Sequence, residues 1–387
     1  MRIGIDGLPL TYVLTGIGHY TNELAQHLAH GTGADEIEII SPRAFQPSVN
    51  SHRERPANLR LARARVGPLT GRWWSIGLPR YLRRHSLDVF HGTNFEVPLQ
   101  KICPTVLTIH DLSMWLHADT QEKKLVRRAH RRVPLMARAA TRIITPTESV
   151  RQEVHQYLKI PLDTIVAVPE AARDCFRPLA LAQTIEIRNR LGVREDFLLF
   201  VGTIEPRKNL ATLLRAFEEV LRIRRQPLQL VIAGRKGWLV DRLFDSLKRS
   251  PVAEHILLTG YLTDQDLCAL YSCCAAFVYP SICEGFGLPP LEAMACGAPV
   301  IASRIPSIEE VTGSAAHLFT LDNAGALSSA ILDLLSSDLM RKTLSAAGAK
   351  RAAEFSWTST ARATRSVYTE AIERFGPLTI TRRSGNP

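Results

Sequence analysis

Two glutamates, Glu284 and Glu292, with seven residues between them, flank a glycine turn and a proline pair in Cys-Glu-Gly-Phe-Gly-Leu-Pro-Pro-Leu-Glu from Cys283 to Glu292. Gly285 and Gly287 let a backbone approach a ligand closely, while Pro289 and Pro290 suit the first turn of a helix, where a missing N–H costs nothing. A helix therefore begins here. Its N-terminus presents free N–H groups and a partial positive charge, which suit a phosphate, another anion or hydroxyls. Glu292, expected in the first turn, and Glu284, in the loop, can each accept hydrogen bonds from the paired hydroxyls of a sugar. The plainer reading is a helix start with one dipole-compensating acid and one solvated acid, and both readings stand on this stretch alone.

Cations occupy comparable positions nearby. Gly202-Thr-Ile-Glu-Pro-Arg-Lys-Asn209 follows the apolar run 197–202, and Gly234-Arg235-Lys236-Gly237 follows the run 228–233. Arg207 and Lys208 would lie at a strand's carboxyl end before a helix capped by Asn209, where a diphosphate is readily held; the alternative is an exposed basic turn. Gly234 marks a second such end. His110 and Asp111 terminate the run 105–109, as a pair facing a crevice or as a structural histidine with an aspartate cap. His91 ends another run and is a weaker case. Gly16-x-Gly18, with His19 and Tyr20 after it, forms a strand, glycine loop, helix unit that lacks the third glycine of a dinucleotide fingerprint. Asp264-Gln-Asp266 has the spacing of a metal-binding carboxylate pair, but Thr263 or Asp264 capping the apolar helix that follows explains it better, so no metal ligand is assigned.

The elements that must position these residues alternate. Short strands are expected at 2–6, 36–40, 87–91, 105–109, 142–145 and 164–168, with a helix at about 19–29 and helical or loop stretches between most strands. A second series begins at 197: helix 209–222, strand 228–233, helix 240–249, strand 256–259, helix 265–272, strand 276–279, the turn and helix of 283–296, strand 299–302, a short helix at 307–312 and strand 316–319. Two parallel α/β domains follow, each with its ligand at the carboxyl ends of its strands. Loss of periodicity near 170–195 places the linker at about 176–184. Helices at 323–335 and 338–353 precede Phe355-Ser-Trp and a last helix ending near Phe375, and 376–387 reads as a disordered tail.

The whole chain sets outer bounds. Its 387 residues, 45% hydrophobic and 22% charged, describe a globular protein too long for one ordinary core. No apolar run reaches a membrane span, and Asp6 interrupts the first apolar stretch too early for a signal peptide, which points to the cytoplasm. Seven cysteines without metal-ligand spacing are expected as small core residues in a reducing compartment. Residues 1–180 carry 24 basic and 16 acidic side chains, against 24 and 21 in the remainder, so most of the net +11 belongs to the first half. Lys123, Lys124, Arg127, Arg128, Arg131 and Arg132 share one half of a helical wheel over 121–133. That helix is either a solvated face or a contact for an anionic membrane surface or substrate. Interleaved aromatics are lacking, so single-stranded nucleic acid is a poor fit, and no recognised motif supports a nucleic-acid partner, so none is expected.

Taken together, Gly16-x-Gly18, His110-Asp111, the 202–209 segment, Tyr-Pro-Ser at 279–281, the Glu284 and Glu292 pair and Phe355-Ser-Trp resemble glycosyltransferase family 4. The likeness spans nearly the whole chain. It implies the GT-B fold: residues 1–178 as a Rossmann-like acceptor domain, 184–359 as a Rossmann-like nucleotide-sugar donor domain, and a helix at about 360–375 crossing back to the first. It implies a retaining transferase in which Glu292 binds the donor ribose and Glu284 the transferring sugar. Gly285, Phe286, Gly287 and Leu288 would offer their backbone to sugar and phosphates, with Gly234 on the donor side. Arg207 and Lys208 would neutralise the diphosphate without a metal or other cofactor, His110 with Asp111 would sit at the reacting sugar, and Gly16, Gly18, His19 and Tyr20 would border the acceptor. Thr203 stands where many members carry arginine, which leaves the diphosphate to Arg207 and Lys208.

The 202–209 segment looks most like bacterial mannosyltransferases of surface polysaccharide assembly. That likeness suggests GDP-mannose as donor and a glycan or lipid-linked acceptor, with peripheral membrane contact through 121–133. A UDP-sugar donor, a sugar-nucleotide epimerase of similar fold and a non-catalytic donor-binding module are the alternatives.

Overall fold

A computed structural model describes residues 1–32, 34–46, 55–64 and 67–376. The first seven strands, β1 (Arg2–Asp6), β2 (Glu36–Ser41), β3 (Leu59–Arg63), β4 (Val89–Gly92), β5 (Thr105–Thr108), β6 (Arg142–Thr145) and β7 (Ile165–Ala167), form a parallel sheet in the order 3-2-1-4-5-6-7. A second parallel sheet, order 10-9-8-11-12-13, holds β8 (Phe197–Val201), β9 (Gln229–Ala233), β10 (Ile256–Gly260), β11 (Ala276–Tyr279), β12 (Val300–Ser303) and β13 (His317–Phe319). These are two Rossmann-like domains in a GT-B arrangement. Strand order reverses between β1 and β4 and again between β8 and β11, and in open α/β sheets ligands bind at such switch points. The central strands are apolar on both faces because helices cover both sides: Ile3, Ile5, Val89, Val106, Phe197–Phe200 and Phe277 are at most 1% exposed.

Four elements differ from the sequence reading. β3 was not anticipated: its Leu-Arg-Leu-Ala-Arg run lies at a sheet edge with only Leu59 buried, so no apolar pattern announces it. The helix after β1 starts at Gly16, not near His19, so Gly16 and Gly18 lie in its first turn instead of in a loop before it. The expected linker is partly helical, because Leu181–Leu191 forms a helix whose Thr184 and Ile187 are buried. Glu292 lies one turn into the helix Leu288–Ala295, whose first turn contains no acid. The expected tail lies, beyond Gly376, outside the described residues.

The last helix, Trp357–Phe375, belongs to the first domain although it follows the second in sequence. Ser356 caps it by accepting from the Ser359 N–H at 3.2 Å. Trp357, Ala361, Val367, Tyr368 and Ala371 enter the core built by Ile3, Ile5, Leu24 and Val106. The Tyr368 hydroxyl meets His91 Nδ1 at 2.8 Å, and Arg365 Nε donates to Asp35 at 2.6 Å. Of the cysteines, five are buried, whereas Cys175 is exposed on the connector, contrary to a purely core role. No helix among the described residues is long and apolar enough to cross a membrane.

Candidate active site

The carboxyl ends of the central strands bring the singled-out residues to one interdomain crevice. From the first domain come Thr93 after β4 and His110-Asp111 after β5. The second contributes the 202–209 segment after β8 and the 280–288 loop after β11. The two halves touch directly. A Cβ on Gly285 would fall 1.7 Å from the His110 carbonyl oxygen, so no other residue allows this approach without movement. Thr147 Oγ1 donates to the Gly285 carbonyl at 2.9 Å. Gly287 adopts φ +95°, which side chains other than glycine's rarely tolerate, and this turn aims the helix Leu288–Ala295 at the crevice. Among the described residues no backbone or side-chain group accepts from the N–H groups of Gly285, Phe286, Gly287 or Leu288. Phe286 itself packs edge-on against Phe355 at 5.7 Å, so only its backbone faces the crevice.

Glu284 is the centre of a compact charge cluster. Its Oε1 accepts from Lys208 Nζ at 2.5 Å, from the Tyr279 hydroxyl at 2.8 Å and from the Ser281 hydroxyl, while Oε2 accepts from Arg207 Nη1 at 3.1 Å. Burial would push this carboxyl up, but Lys208 and Arg207 reverse the effect and hold it down at about 2. Arg207 also donates to the Cys283 carbonyl at 2.7 Å and to Glu205, which sequence reasoning gave no role. Burial lowers the Lys208 ammonium and raises the Glu205 carboxyl. Lys208 has three N–H donors and uses two here, so one remains for an incoming anion.

Gly234 does not offer its N–H to a ligand. It donates to the Gly260 carbonyl at 2.8 Å, and a Cβ would lie 1.8 Å from the Gly202 oxygen, so this glycine packs two strand ends together.

His110 is clamped from both ring nitrogens. Nε2 lies 2.8 Å from the Thr93 carbonyl and Nδ1 3.3 Å from Glu170, with the Tyr20 ring edge-on at 4.9 Å. Burial opposes a charge on the ring, yet Glu170 and the Thr93 carbonyl outweigh it and raise the histidine above its ordinary range. An acceptor at each ring nitrogen matches the two N–H donors of the protonated ring, in keeping with the upward direction of its pKa. Glu170 lies immediately after Pro169 in the aperiodic stretch, and nothing in the sequence marked it. Tyr20 hydrogen-bonds Thr108 at 3.0 Å, and Thr108 meets His91 at 2.7 Å. Tyr20 therefore backs His110 from within the first domain. Asp111 accepts from the Ser113 N–H at 2.9 Å, just before the N-cap Leu112, and burial, with the Asp111 charge adding to it, pushes Glu153 up to about 7.

Glu292 is 7% exposed, and Arg173 Nη2 approaches it at 3.5 Å. Burial raises this carboxyl to about 7 against the lowering effect of Arg173. His19 is held down at about 4 by burial and then by Arg173, with Asp264 opposing, so it faces this group as well as the first domain. Thr263 caps the helix Asp264–Cys273 by accepting from the Asp266 N–H at 3.2 Å. Asp264 and Asp266 instead pair with Arg173 and Arg190, and among the described residues no cluster of acids, histidines or cysteines is placed to hold a metal ion.

Fold and site thus describe two Rossmann-like domains whose strand ends bring buried carboxylates, cations and unused backbone N–H groups to one crevice. The family described as Glycosyltransferase Family 4 matches residues 14–171, and the one described as Glycosyl transferases group 1 matches 183–351. The chain is 32% identical to the O-antigen chain mannosyltransferase B of Escherichia coli, over 95% of this chain and 99% of that one. Its fold is similar to the sucrose-phosphate synthase of Thermosynechococcus elongatus, with TM-score 0.78 and 21% identity over 96% and 99% of the two chains. It is also similar to Anabaena HepE in complex with UDP and glucose, with TM-score 0.75 and 17% identity over 96% and 100%. The chain belongs to the family 4 glycosyltransferases, a family of the GT-B fold.

Proposed function

We propose that this enzyme is a retaining mannosyltransferase that moves mannose from GDP-mannose onto a growing cell-surface glycan or its lipid-linked precursor. The observation that carries the reading is the Glu284 cluster: a buried carboxylate between Arg207 and Lys208, beside the unused N–H groups of residues 285–288. The preference for mannose comes from the Escherichia coli mannosyltransferase, to which the chain is similar over nearly all its length. In this reading residues 1–178 hold the acceptor and 184–359 the donor. Glu292 accepts from the ribose hydroxyls, and Glu284 from the hydroxyls of the sugar being moved. As the bond from C1 to the diphosphate oxygen breaks, its electron pair stays with the diphosphate. The acceptor oxygen bonds to C1 on the face the diphosphate leaves, and its proton passes to the departing diphosphate oxygen.

Arg207, the free N–H of Lys208 and the start of Leu288–Ala295 neutralise the charge that develops on the leaving group, a preorganised task that fixed cations can perform without a metal. His110, charged and clamped, stands at the sugar from the opposite wall with Asp111 beside it. Gly16, Gly18 and His19 border the acceptor side at the start of their helix, while Tyr20, buried in the core, supports His110 from behind instead of meeting the acceptor.

Labelled GDP-mannose with a lipid-linked acceptor is the direct assay. Wild-type enzyme is expected to give product, and Glu284→Ala to lose at least about 10²-fold in rate; a Glu284→Ala enzyme at normal rate would refute the site. A thermal-shift panel tests the donor, since a ligand that binds only the folded chain raises its Tm. A shift with UDP-sugars and none with GDP-mannose would reassign it.

A further inference from the structure

The segment joining the domains carries two charged side chains three residues apart, and each grips a different half of the crevice. Pro169 stays with the first domain, where Thr360 Oγ1 donates to its carbonyl at 2.7 Å. Ala171 is in that domain's core. By Leu179 the chain is on the second domain, with its N–H donated to Ser272 at 3.1 Å. Between these points Glu170 holds His110, while Arg173 reaches the opposite way.

Arg173 is 8% exposed, donates from Nη1 to Asp264 at 2.6 Å and lies 4.7 Å from the Phe176 ring centroid. Its contact with Glu292 is longer, 3.5 Å, and its Nε is buried without a partner. A guanidinium anchored by one acid, with donors left over beside a second buried acid, is built to orient that second acid and to admit a further acceptor. The acid it orients is the one assigned to the donor ribose.

We propose that Arg173 is a positioning residue for donor binding: anchored by Asp264, it holds Glu292 aimed at the ribose of a nucleoside diphosphate sugar. This inference rests on the donor reading of Glu292. The groups facing Glu292 are Arg173 from the connector and Asp264 and Tyr271 from the helix Asp264–Cys273, with His19 beyond Arg173. Arg173 is the cation among them; burial and Asp264 both favour the protonated acid. Removing the guanidinium therefore leaves Glu292 protonated over a wider pH range. Because the arginine sits on the connector, donor affinity also becomes sensitive to how the connector is held.

The experiment measures binding of GDP, and in parallel UDP, by calorimetry between pH 6 and 9, together with donor KM and kcat. Arg173→Met, which keeps bulk and removes charge, is expected to weaken binding about tenfold at pH 7, the scale of one charge-assisted hydrogen bond. Its affinity should recover only at a pH about one unit higher than for wild type. KM should rise with little change in kcat, and Arg173→Lys should restore most of the affinity. Asp264→Asn, which frees the anchor but also removes a charge that favours the protonated acid, should weaken affinity without the upward pH shift of Arg173→Met, and serves if Arg173→Met does not fold. Glu292→Gln separates the two levels of the argument. If it binds nucleotide like wild type, the ribose reading of Glu292 fails. If it loses binding while Arg173→Met keeps wild-type affinity and pH profile and Asp264→Asn keeps wild-type affinity, the donor reading stands and Arg173 is only a structural tie.

Discussion

At the scale of single residues, the crevice is governed by how burial and neighbouring charge compete. Glu284 and Glu292 are the same residue type, eight positions apart, both buried, yet one is held at about 2 and the other at about 7. The difference lies in the number of facing cations, two for Glu284 and one loosely placed for Glu292. The consequences for stability have opposite signs. Glu284 contributes stability above its ordinary value of 4.5 that is lost as pH falls towards about 2. Glu292, raised instead, favours the folded state below 4.5, and that contribution is lost as pH rises through about 7. A pH titration of unfolding comparing Glu284→Gln with wild type should therefore converge in acid and diverge above pH 4.5.

His110 offers a second test. Its raised pKa depends on Glu170, so the fold gains from it below pH 6.5 and loses that gain as pH rises through the raised value. Glu170→Gln should bring the ring's titration, followed by NMR, to lower pH, and pull the alkaline limb of the transfer rate with it. An unmoved histidine would show that Glu170 does not set its charge.

Among the elements, the returning helix and the basic helix show how sequence position and spatial role part company. Trp357 is 1% exposed in the first domain's core, so Trp357→Ala should cost about 3–5 kcal/mol, read as a drop in the denaturation midpoint. A loss below about 1 kcal/mol would mean the helix is only loosely docked. The helix Lys123–Ala139 runs further than its cationic stretch and buries Ala129, Val133, Met136 and Ala137. Two of its six expected surface cations are already engaged, because Arg128 and Arg132 both donate to Glu96, at 3.2 and 3.1 Å. Lys123, Lys124, Arg127 and Arg131 remain exposed, with Leu125 and Leu135 beside them, 41% and 49% exposed. We propose that this face meets an anionic membrane surface. Co-sedimentation should find wild type on vesicles containing anionic lipid and not on neutral ones, and glutamine at those four positions should abolish the difference. Equal sedimentation with both vesicle types would leave the face a solvated one.

At the scale of the whole molecule, the enzyme is two parallel sheets whose strand ends meet, and its chemistry is proposed to need no metal. Transfer assayed with a strong chelator should proceed at the untreated rate, and a rate lost to chelation and restored by a divalent ion would overturn that part of the mechanism. Most of this architecture was legible in the sequence, because strands buried on both faces must be continuous apolar runs and glycine with proline must punctuate them. The exceptions were the edge strand Leu59–Arg63, which no apolar pattern demands, and the helix Leu181–Leu191 on the expected linker. The sequence by itself also brought Glu284, Arg207, Lys208, His110 and Gly285 to strand ends or a turn, and Glu292 to the helix that follows, where local chemistry is readable. Only the tertiary structure decided who faces them. Glu170, Arg173 and Asp264 act through contacts between segments up to 119 residues apart, and no local periodicity records which charge a buried carboxylate will meet.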